Sequence, residues 1–344
     1  MRSDLTTLVF VSAIAAACAV EPDVASSSLP IIQGDVVPDG DLPSVIGLLT
    51  NAGTVCTGTL ISPTAVLTAA HCVEPEIIKQ SLQVMGATPP ATITYQASFA
   101  HNLITGAAQN LVEVASVEWH ELFLQDQAAL FERPGRWHDI AIVHLAAPVS
   151  GRPFQRLATS DVVTAIETDG QQLVAGYGLS VETDQGSAGS LRKGLSGLDQ
   201  MGANELIAGM GDAQQACHGD SGGPIFADDS DTLQIGVASR INADLLAGGT
   251  PTCTTGLLYT RVDAYLDWIT ERVPDVTGDP GDPGDPGDPD PGVDGDGDHW
   301  YGCAVATPGR GGRSGLAVLL LCSLLVAAQC TVRRARRNQI SRRV

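Results

Sequence analysis

Three short segments contain the residue types of a nucleophilic hydrolase. A histidine, an aspartate and a serine occur in that order, at His71, Asp139 and Ser221. The segments around them read LTAAHC (67–72), HDIAIVHL (138–145) and CHGDSGGP (217–224). A serine hydroxyl is a weak nucleophile near neutral pH, so a histidine must accept its proton, and a buried, ionised carboxylate must orient the imidazole. These residue types predict acyl transfer through a covalent acyl-enzyme.

The three segments resemble the signature motifs of the trypsin/chymotrypsin family of serine proteases, in the family's order of His, Asp and Ser. The resemblance extends from residue 31 to about residue 273. It implies that His71 is the general base, that Asp139 orients it and that Ser221 is the nucleophile. It also implies that the backbone N–H groups of Gly219 and Ser221 form the oxyanion hole.

The resemblance further predicts activation by proteolysis of a zymogen. Residues 31–34 (IIQG) resemble the family's activation site, where cleavage before the first isoleucine frees an amine. That amine pairs with the aspartate before the catalytic serine, which is Asp220 here. Because Pro30 precedes Ile31, the activating protease is not trypsin-like, or maturation differs.

Substrate preference follows from the residues that the family places around its primary pocket. Gln215, six residues before Ser221, lies at the pocket base in this alignment and carries no charge. Ser239 begins one wall of the pocket, and Ile241 on the same wall narrows the pocket. We therefore expect a graded preference for small or medium uncharged residues, such as Ala or Val, before the cleaved bond. The stretch from Ser239 to Cys253 is longer than is usual in the family, so the register of this wall can slip.

Two disulfides, Cys56–Cys72 and Cys217–Cys253, are implied by the same resemblance, and an exported chain can keep them oxidised. No cysteine or histidine cluster has the spacing of a zinc site, so we expect no metal and no cofactor. Three further histidines lack a catalytic context and are interpreted as structural, with the last a possible contact at the rim of the site: His138, His144 and His218.

The pattern of the folded body indicates an all-β protein. Short apolar runs alternate with Gly, Pro, Asp and Ser clusters. The predicted strand segments are Val45–Leu49, Thr59–Ile61, Ala65–Leu67, Ile140–Leu145, Leu173–Ala175, Gln234–Ala238 and Leu257–Thr260. An amphipathic helix is predicted over Arg261–Val273. The resemblance implies two packed six-stranded antiparallel β-barrels, dividing near residues 146–156, with the catalytic groups in the cleft between them. The interval from His71 to Asp139 is longer than is typical of the family, which implies an insertion within Ala87–Arg136.

The N-terminal segment is typical of export. Residues 1–20 carry an early arginine, an apolar run and a cluster of small residues, which together predict a signal peptide. Cys18 follows three alanines, so the segment is either a lipoprotein signal or one whose cysteine is discarded. Residues 21–30 are then a short propeptide, and residues 31–275 form the protease domain.

The C-terminal segment predicts a linker and an anchor. Residues 276–301 form an acidic Gly/Asp/Pro spacer. Alternating aspartates from Asp294 resemble the start of a calcium loop, but Val305 stands where an EF-hand needs glutamate. Within residues 302–344, a span at 315–332 precedes an arginine cluster that favours a cytoplasmic end, while a buried helix is the competing interpretation. This segment resembles the C-terminal sorting tail of myxobacterial surface proteins, with Cys303 as the processed residue.

Charge and the intact catalytic residues narrow the choice of function. Between Ile31 and Asp275 there are 28 acidic and 10 basic residues, which argues against a nucleic-acid partner. We expect an exported monomeric catalytic domain that acts on protein or peptide substrates, in the envelope, at the surface or outside the cell. Its C-terminal span holds it to a membrane, as does an N-terminal lipid if the segment is a lipoprotein signal. The rival functions are a catalytically silent binding protein on a protease scaffold, which usually lacks the His or Ser, and an esterase.

Overall fold

The computed structural model describes residues 31–106, 111–125, 131–166, 168, 170–212, 214–243 and 252–276. The predicted signal peptide, propeptide and anchor lie outside this set, as does the linker beyond Val276. The calcium-like loop, Cys18 and Cys303 therefore lie outside it as well. None of the helices within the described ranges has the length and apolar character needed to cross a membrane.

The first half of the described chain forms a closed antiparallel barrel of six strands. After a short strand, β1 (Asp35–Val36), the barrel strands are β2 (Val45–Thr50), β3 (Val55–Ser62), β4 (Ala65–Thr68), β5 (Tyr95–Ser98), β6 (Leu111–Trp119) and β7 (Ala141–Leu145). Their order around the barrel is β2-β3-β4-β7-β6-β5. Branched apolar residues fill its interior, with Leu60, Val66 and Ile142 fully buried. Such residues suit a pleated, buried surface.

One helix, α1 (Pro75–Val84), follows β4 and begins with two favourable features. Pro75 occupies its first turn, where a missing N–H costs nothing. The carboxylate of Glu74 accepts a hydrogen bond from the N–H of Ile77 at 2.6 Å and so caps the helix. Ile78 and Leu82 are buried against the first barrel, which fixes the segment that follows His71.

The second half forms another six-stranded barrel. Its strands are β9 (Gln171–Gly176), β10 (Arg192–Met201), β11 (Glu205–Ala208), β12 (Pro224–Phe226), β13 (Leu233–Ile241) and β14 (Leu257–Arg261). The pairing of β9 with β10 closes the barrel. A short strand β8 (Arg156–Leu157) pairs with β13, and β1 pairs with β10. A one-turn helix, α2 (Ser160–Thr164), lies between β8 and β9. The predicted fold of two six-stranded barrels is confirmed.

The chain passes from one barrel to the other between Leu145, the end of β7, and Arg156, the start of β8. This crossing lies in the predicted interval of 146–156. Each of the seven predicted strand segments overlaps a strand of the structure. The strands that were not predicted, among them β5, β6 and β11, are shorter, more polar or more exposed on one face, so their apolar pattern is weak.

The C-terminal helix begins later than the sequence predicts. The α-helix α3 covers Leu266–Arg272 and is preceded by a 3-10 turn at Asp263–Tyr265. Arg261, the predicted first residue, belongs to β14 instead, where its N–H donates to the carbonyl of Asn204 at 2.9 Å. Its guanidinium also donates to both carboxylate oxygens of Asp263, at 3.0 and 2.7 Å. Strand pairing and this ion pair hold Arg261 extended, against its helical periodicity.

Candidate active site

The pairing of β4 with β7 brings His71 and Asp139 together. His71 lies in a 3-10 turn directly after β4, and Asp139 lies two residues before β7. Thr68 and Ala141 are partners in the register of these two strands. As a result, the carboxylate of Asp139 accepts the backbone N–H of His71 at 2.9 Å and lies 2.7 Å from its Nδ1. Both oxygens of one carboxylate therefore fix the histidine.

Two hydroxyl groups of the second barrel hold Asp139 from the other side. The Oγ of Ser239 donates to Oδ2 of Asp139 at 2.6 Å, and the Oγ1 of Thr260 donates to the carbonyl of Asp139 at 3.0 Å. Asp139 is only 1% exposed. Burial raises the pKa of its carboxyl, but the charge and hydrogen bond of His71, with the bond from Ser239, lower that pKa below its ordinary value. Asp139 is therefore ionised at neutral pH.

The same pair sets the protonation of His71. Burial lowers the pKa of the imidazole, but the charge of Asp139 and its hydrogen bond outweigh burial and raise the pKa above 6.5. The charge of Arg240 works in the opposite direction. An imidazole so placed can accept a proton near neutral pH and is stabilised once it is charged.

The loop that carries Ser221 depends on glycine and on one threonine of the first barrel. Gly219 has φ +96°, and a Cβ there would lie 2.8 Å from the Cα of Gly178. A side chain is therefore excluded both by conformation and by space. Thr57, on β3, donates from its Oγ1 to the carbonyl of Gly219 at 3.0 Å and from its N–H to the carbonyl of Ser221 at 2.8 Å. The serine loop is thus attached to the opposite barrel.

The N–H groups of Gly219 and Ser221 point to a separate role. Within the described ranges, no backbone carbonyl or side-chain oxygen accepts a hydrogen bond from either of them. The neighbouring N–H groups of Asp220 and Gly223 are used inside the loop, donating to the carbonyls of Cys217 and Asp220. Two unused donors, on the serine and on the residue two positions before it, match what a developing oxyanion requires.

Both expected cysteine pairs are bonded in the structure. Cys56 and Cys72 have an S–S distance of 2.01 Å and bracket the histidine segment. Cys217 and Cys253 join the serine loop to the segment before β14. Two groups of side chains with metal-ligand types include these cysteines, together with His71 in one and Glu182 in the other. Their sulfur atoms are committed to disulfides.

His71 and Ser221 line one cavity of about 340 Å³. Two of the predicted pocket residues, Ser239 and Ile241, line it too, as do Ala243 and Leu257. Gln215 is not among the lining residues. It is 1% exposed, and its side-chain amide donates to the carbonyl of Asp212. None of the described residues that line this cavity is acidic.

Both predicted activation residues, Ile31 and Asp220, are buried. Ile31 is 1% exposed, and Ile32 exchanges two backbone hydrogen bonds with Gln215, at 2.9 and 3.3 Å. Asp220 is also 1% exposed and accepts from the N–H groups of Gly178 and Cys217, at 2.7 and 2.8 Å. Burial raises the pKa of this carboxyl to about 7, although both hydrogen bonds lower it.

The remaining histidines occupy different settings. His138 lies behind the site, with Nδ1 2.9 Å from the hydroxyl of Tyr265 and its ring stacked on His120. His144, on β7, lies 3.1 Å from the carboxylate of Glu118. His218 lines the cavity beside Ser221, which agrees with a contact at its rim.

Sequence reasoning missed the hydroxyls that support the site. Ser239 was expected only as a wall of the pocket, and Thr57 and Thr260 were not expected at all. Each of these hydroxyls bonds to a residue at least 100 positions away along the chain. Only a strand register, which one sequence does not contain, brings them to the site.

Comparison with known proteins identifies the family of the chain and agrees with its fold. The sequence model of the family described as Trypsin matches residues 31–269. Chymotrypsin-C of Mus musculus is 28% identical over 238 residues, covering 63% of this chain and 78% of that protein. Chymotrypsin of Phaedon cochleariae is 27% identical over 267 residues, covering 72% and 84%. A solved structure of HL collagenase superposes with a TM-score of 0.54 at 21% identity, covering 71% of this chain and 99% of that one.

The fold of two β-barrels and the histidine–aspartate pair close to a serine define the class, which is that of the serine hydrolases. The chain belongs to the trypsin family of serine proteases, and it is a serine endopeptidase.

Proposed function

We propose that this endopeptidase cleaves peptide bonds with His71, Asp139 and Ser221 as its catalytic triad. The observation that carries the proposal is the 2.7 Å contact between Nδ1 of His71 and the buried carboxylate of Asp139, together with the cavity that His71 and Ser221 both line. His71 takes the proton of Ser221 while the Oγ attacks the carbonyl carbon of the substrate. It then gives that proton to the leaving amine, and water releases the acyl group by the reverse sequence.

The oxyanion of the tetrahedral intermediate would be held by the N–H groups of Gly219 and Ser221. Support comes from the unused state of both donors and from the two hydrogen bonds by which Thr57 holds the carbonyls of the same residues. A rigid, preorganised pair of donors stabilises the transition state more than the ground state, typically by about 3 kcal/mol for each donor.

A fluorophosphonate probe tests the triad on the processed protein. We expect labelling at Ser221, and we expect Ser221→Ala and His71→Ala each to lower kcat by several orders of magnitude. The double variant should be little worse than either single one, because the residues act as a unit. Near wild-type proteolysis by Ser221→Ala would contradict the triad. Absence of labelling in a correctly processed chain would favour a silent binding protein, and turnover of simple esters without peptide cleavage would favour an esterase.

We further propose a graded preference for small or medium uncharged residues before the cleaved bond. Ile241, Ala243 and Leu257 give the cavity a partly apolar lining, and its described lining contains no carboxylate to pair with a substrate Arg or Lys. Because Gln215 is not among the residues that line this cavity, the preference depends on these walls and not on the predicted base. A positional peptide library tests it, and dominant cleavage after Arg or Lys would contradict it.

Maturation is proposed to begin with export and to end with cleavage before Ile31. Two disulfides suit an oxidising compartment outside the cytoplasm. Burial of Ile31 and the raised pKa of Asp220 support the pairing of a new amine with this carboxylate, because an ammonium would offset the cost of burying its charge. Mass spectrometry of the mature termini tests the start at Ile31, the fate of Cys18, and whether residues 302–344 are retained as a membrane anchor or removed at Cys303.

A further inference from the structure

A wide groove lies on the second barrel, between α2 and the turn that joins β12 to β13. Its volume is about 890 Å³. It shares no lining residue with the cavity of His71 and Ser221. Five of the residues that line it are apolar: Val162, Ala165, Ile166, Leu195 and Ala227.

The length of β9 separates this groove from the catalytic residues. Gln171 and Gln172, at the start of β9, line the groove. Beyond the other end of the strand, the N–H of Gly178 donates to the carboxylate of Asp220, which precedes Ser221. The six residue steps from Gln172 to Gly178 cover up to about 20 Å of extended chain. A ligand in the groove would therefore leave the catalytic cavity free for the bond that is cleaved.

The charged side chains that line the groove are all carboxylates. Asp161 is exposed in the first turn of α2, and Asp228 and Asp229 are exposed in the turn between β12 and β13. None of the described lining residues is basic. The oxygen atoms of the three carboxylates do not all lie within 4.8 Å of one another, so they do not form a compact cage for a metal ion. Their separation suits a larger, organic cation.

Gln172 gives a second and independent indication of a ligand. The residue is 1% exposed, and its Oε1 accepts no hydrogen bond from any described residue. A buried acceptor without a donor is costly and uncommon in folded proteins. Because Gln172 lines the groove, an N–H donor that enters the groove can satisfy this oxygen.

We propose that the groove is a second recognition site, which takes a lysine or arginine side chain of the protein substrate at a distance from the cleaved bond. The proposal rests on the proposed peptidase function. The aliphatic stem of such a side chain packs on the apolar residues, while its charged end donates to the carboxylates and to Oε1 of Gln172. With 28 acidic and 10 basic residues between Ile31 and Asp275, the body attracts a basic partner and repels a second copy of itself.

The first experiment measures binding apart from catalysis. The processed enzyme is blocked at Ser221 with a fluorophosphonate and titrated into a fluorescent nine-residue peptide of alternating lysine and leucine. A peptide with glutamine in place of lysine is the comparison, and fluorescence anisotropy is the readout. We expect the lysine peptide to bind at least tenfold more tightly and to lose affinity as salt is added. Each of three variants should weaken its binding about three- to tenfold: Asp161→Asn, Asp229→Asn and Gln172→Leu.

Asp267→Asn is the matched control. Asp267 is exposed in the first turn of α3, as Asp161 is in α2, but it does not line the groove. Its substitution removes the same charge and should leave the affinity for the lysine peptide unchanged. Gln172→Leu removes an unpaired polar atom, so its thermal stability should equal or exceed that of wild type although its binding is weaker. A merely structural glutamine would not give this combination.

The second experiment tests whether the groove selects substrates. An alanine-based peptide that the enzyme cleaves is joined to the lysine–leucine segment through about 15 Gly/Ser residues, whose average span of about 20 Å suits the separation of the two sites. We expect kcat/KM about tenfold above that of the short peptide, mainly through KM. Asp229→Asn and Gln172→Leu should lose this advantage and keep the wild-type kcat/KM on the short peptide.

Two results would overturn the proposal: unchanged affinity in all three groove variants, or an equal loss in Asp267→Asn, which would reduce the effect to general charge. A gain in affinity when residues 302–344 are removed would assign the groove to the chain's own arginine segment and would overturn it as well. Failure of Ser221 to take the fluorophosphonate contradicts the peptidase function itself. Labelled enzyme that does not prefer the lysine peptide contradicts only the groove.

Discussion

At the scale of single residues, the least expected contact is the one from Ser239 to Asp139. A buried carboxylate needs several donors to stay ionised, and here one of them belongs to the second barrel. Ser239→Ala should raise the pKa of Asp139, weaken its hold on His71 and lower kcat/KM by about tenfold or more, since hydrogen bonds to charged groups contribute about 1.5–3 kcal/mol. Steady-state kinetics on a peptide substrate measure the effect.

Ser196→Ala is the control for that prediction. Ser196 is 1% exposed on β10 and donates to the carbonyl of Gln214 at 3.0 Å, so its loss also removes a buried hydroxyl. Both variants should lose stability, but only Ser239→Ala should lose catalytic efficiency. Equal kcat/KM in the two variants would mean that Ser239 does not support the site.

The pH dependence of activity follows from the pKa of His71. The imidazole must be neutral to accept a proton, and Asp139 raises its pKa above the ordinary 6.5 in spite of burial. We therefore expect kcat/KM to rise with pH and to reach half its maximum above pH 6.5. A midpoint clearly below 6.5 would show that Asp139 does not stabilise the charged imidazole. In Asp139→Asn, the pH profile of the remaining activity should no longer have its midpoint above pH 6.5.

At the scale of elements, β3 offers two buried threonines with different tasks. The Oγ1 of Thr57 serves the serine loop, donating to Gly219 and accepting the N–H of Tyr177 at 3.1 Å. The Oγ1 of Thr59 donates to the side chain of Gln234 at 2.8 Å, away from that loop. Thr57→Val should therefore lower both stability, by about 1–3 kcal/mol, and kcat.

Thr59→Val gives the comparison, because it removes a hydroxyl of the same kind from the same strand. It should lower stability while kcat stays near the wild-type value. Urea unfolding and active-site-titrated kinetics measure the two quantities separately. A similar loss of kcat in both variants would indicate a general loosening of β3 and not a specific support of Gly219.

Local patterns account for the elements that could be predicted from the sequence. Runs such as Val45–Leu49 and Gln234–Ala238 are apolar enough to indicate strands by themselves. β6 is nine residues long, but its exposure alternates between intermediate and exposed positions, so it gives no such signal. Arg261 was placed in a helix because periodicity cannot detect the pairing that keeps it in β14. The triad candidates came from motifs, whereas Thr57 and Ser239 act through contacts that no motif contains.

At the scale of the whole molecule, activation and stability should be linked through Asp220. In the uncleaved chain its pKa of about 7 lies above the ordinary 3.8, so ionisation is unfavourable in the folded state. This cost is absent at pH below 3.8, grows as the pH rises, and reaches about 4 kcal/mol above pH 7. Cleavage before Ile31 supplies an ammonium that offsets it. The processed form should therefore gain stability over the uncleaved form as pH rises from 4 to 8.

Asp220→Asn in the uncleaved chain is the matched variant. It removes the charge and keeps the shape, so it should raise the free energy of unfolding at pH 8 and have little effect at pH 4. Differential scanning calorimetry across this range compares the three proteins. If the uncleaved wild type and Asp220→Asn respond to pH alike, the buried charge of Asp220 does not control the stability of the precursor.

The hydrogen bond from Ser239 to Asp139 also has a consequence for the order of folding. It joins residues 100 positions apart, whereas the bond between His71 and Asp139 joins residues 68 positions apart within one barrel. Contacts of long sequence separation form late, because chain closure must be completed before they contribute. During refolding with intact disulfides, the far-ultraviolet circular dichroism of the β-structure should therefore recover before enzymatic activity does. The delay would measure the time that two formed barrels need to dock, because enzymatic activity appears only after docking.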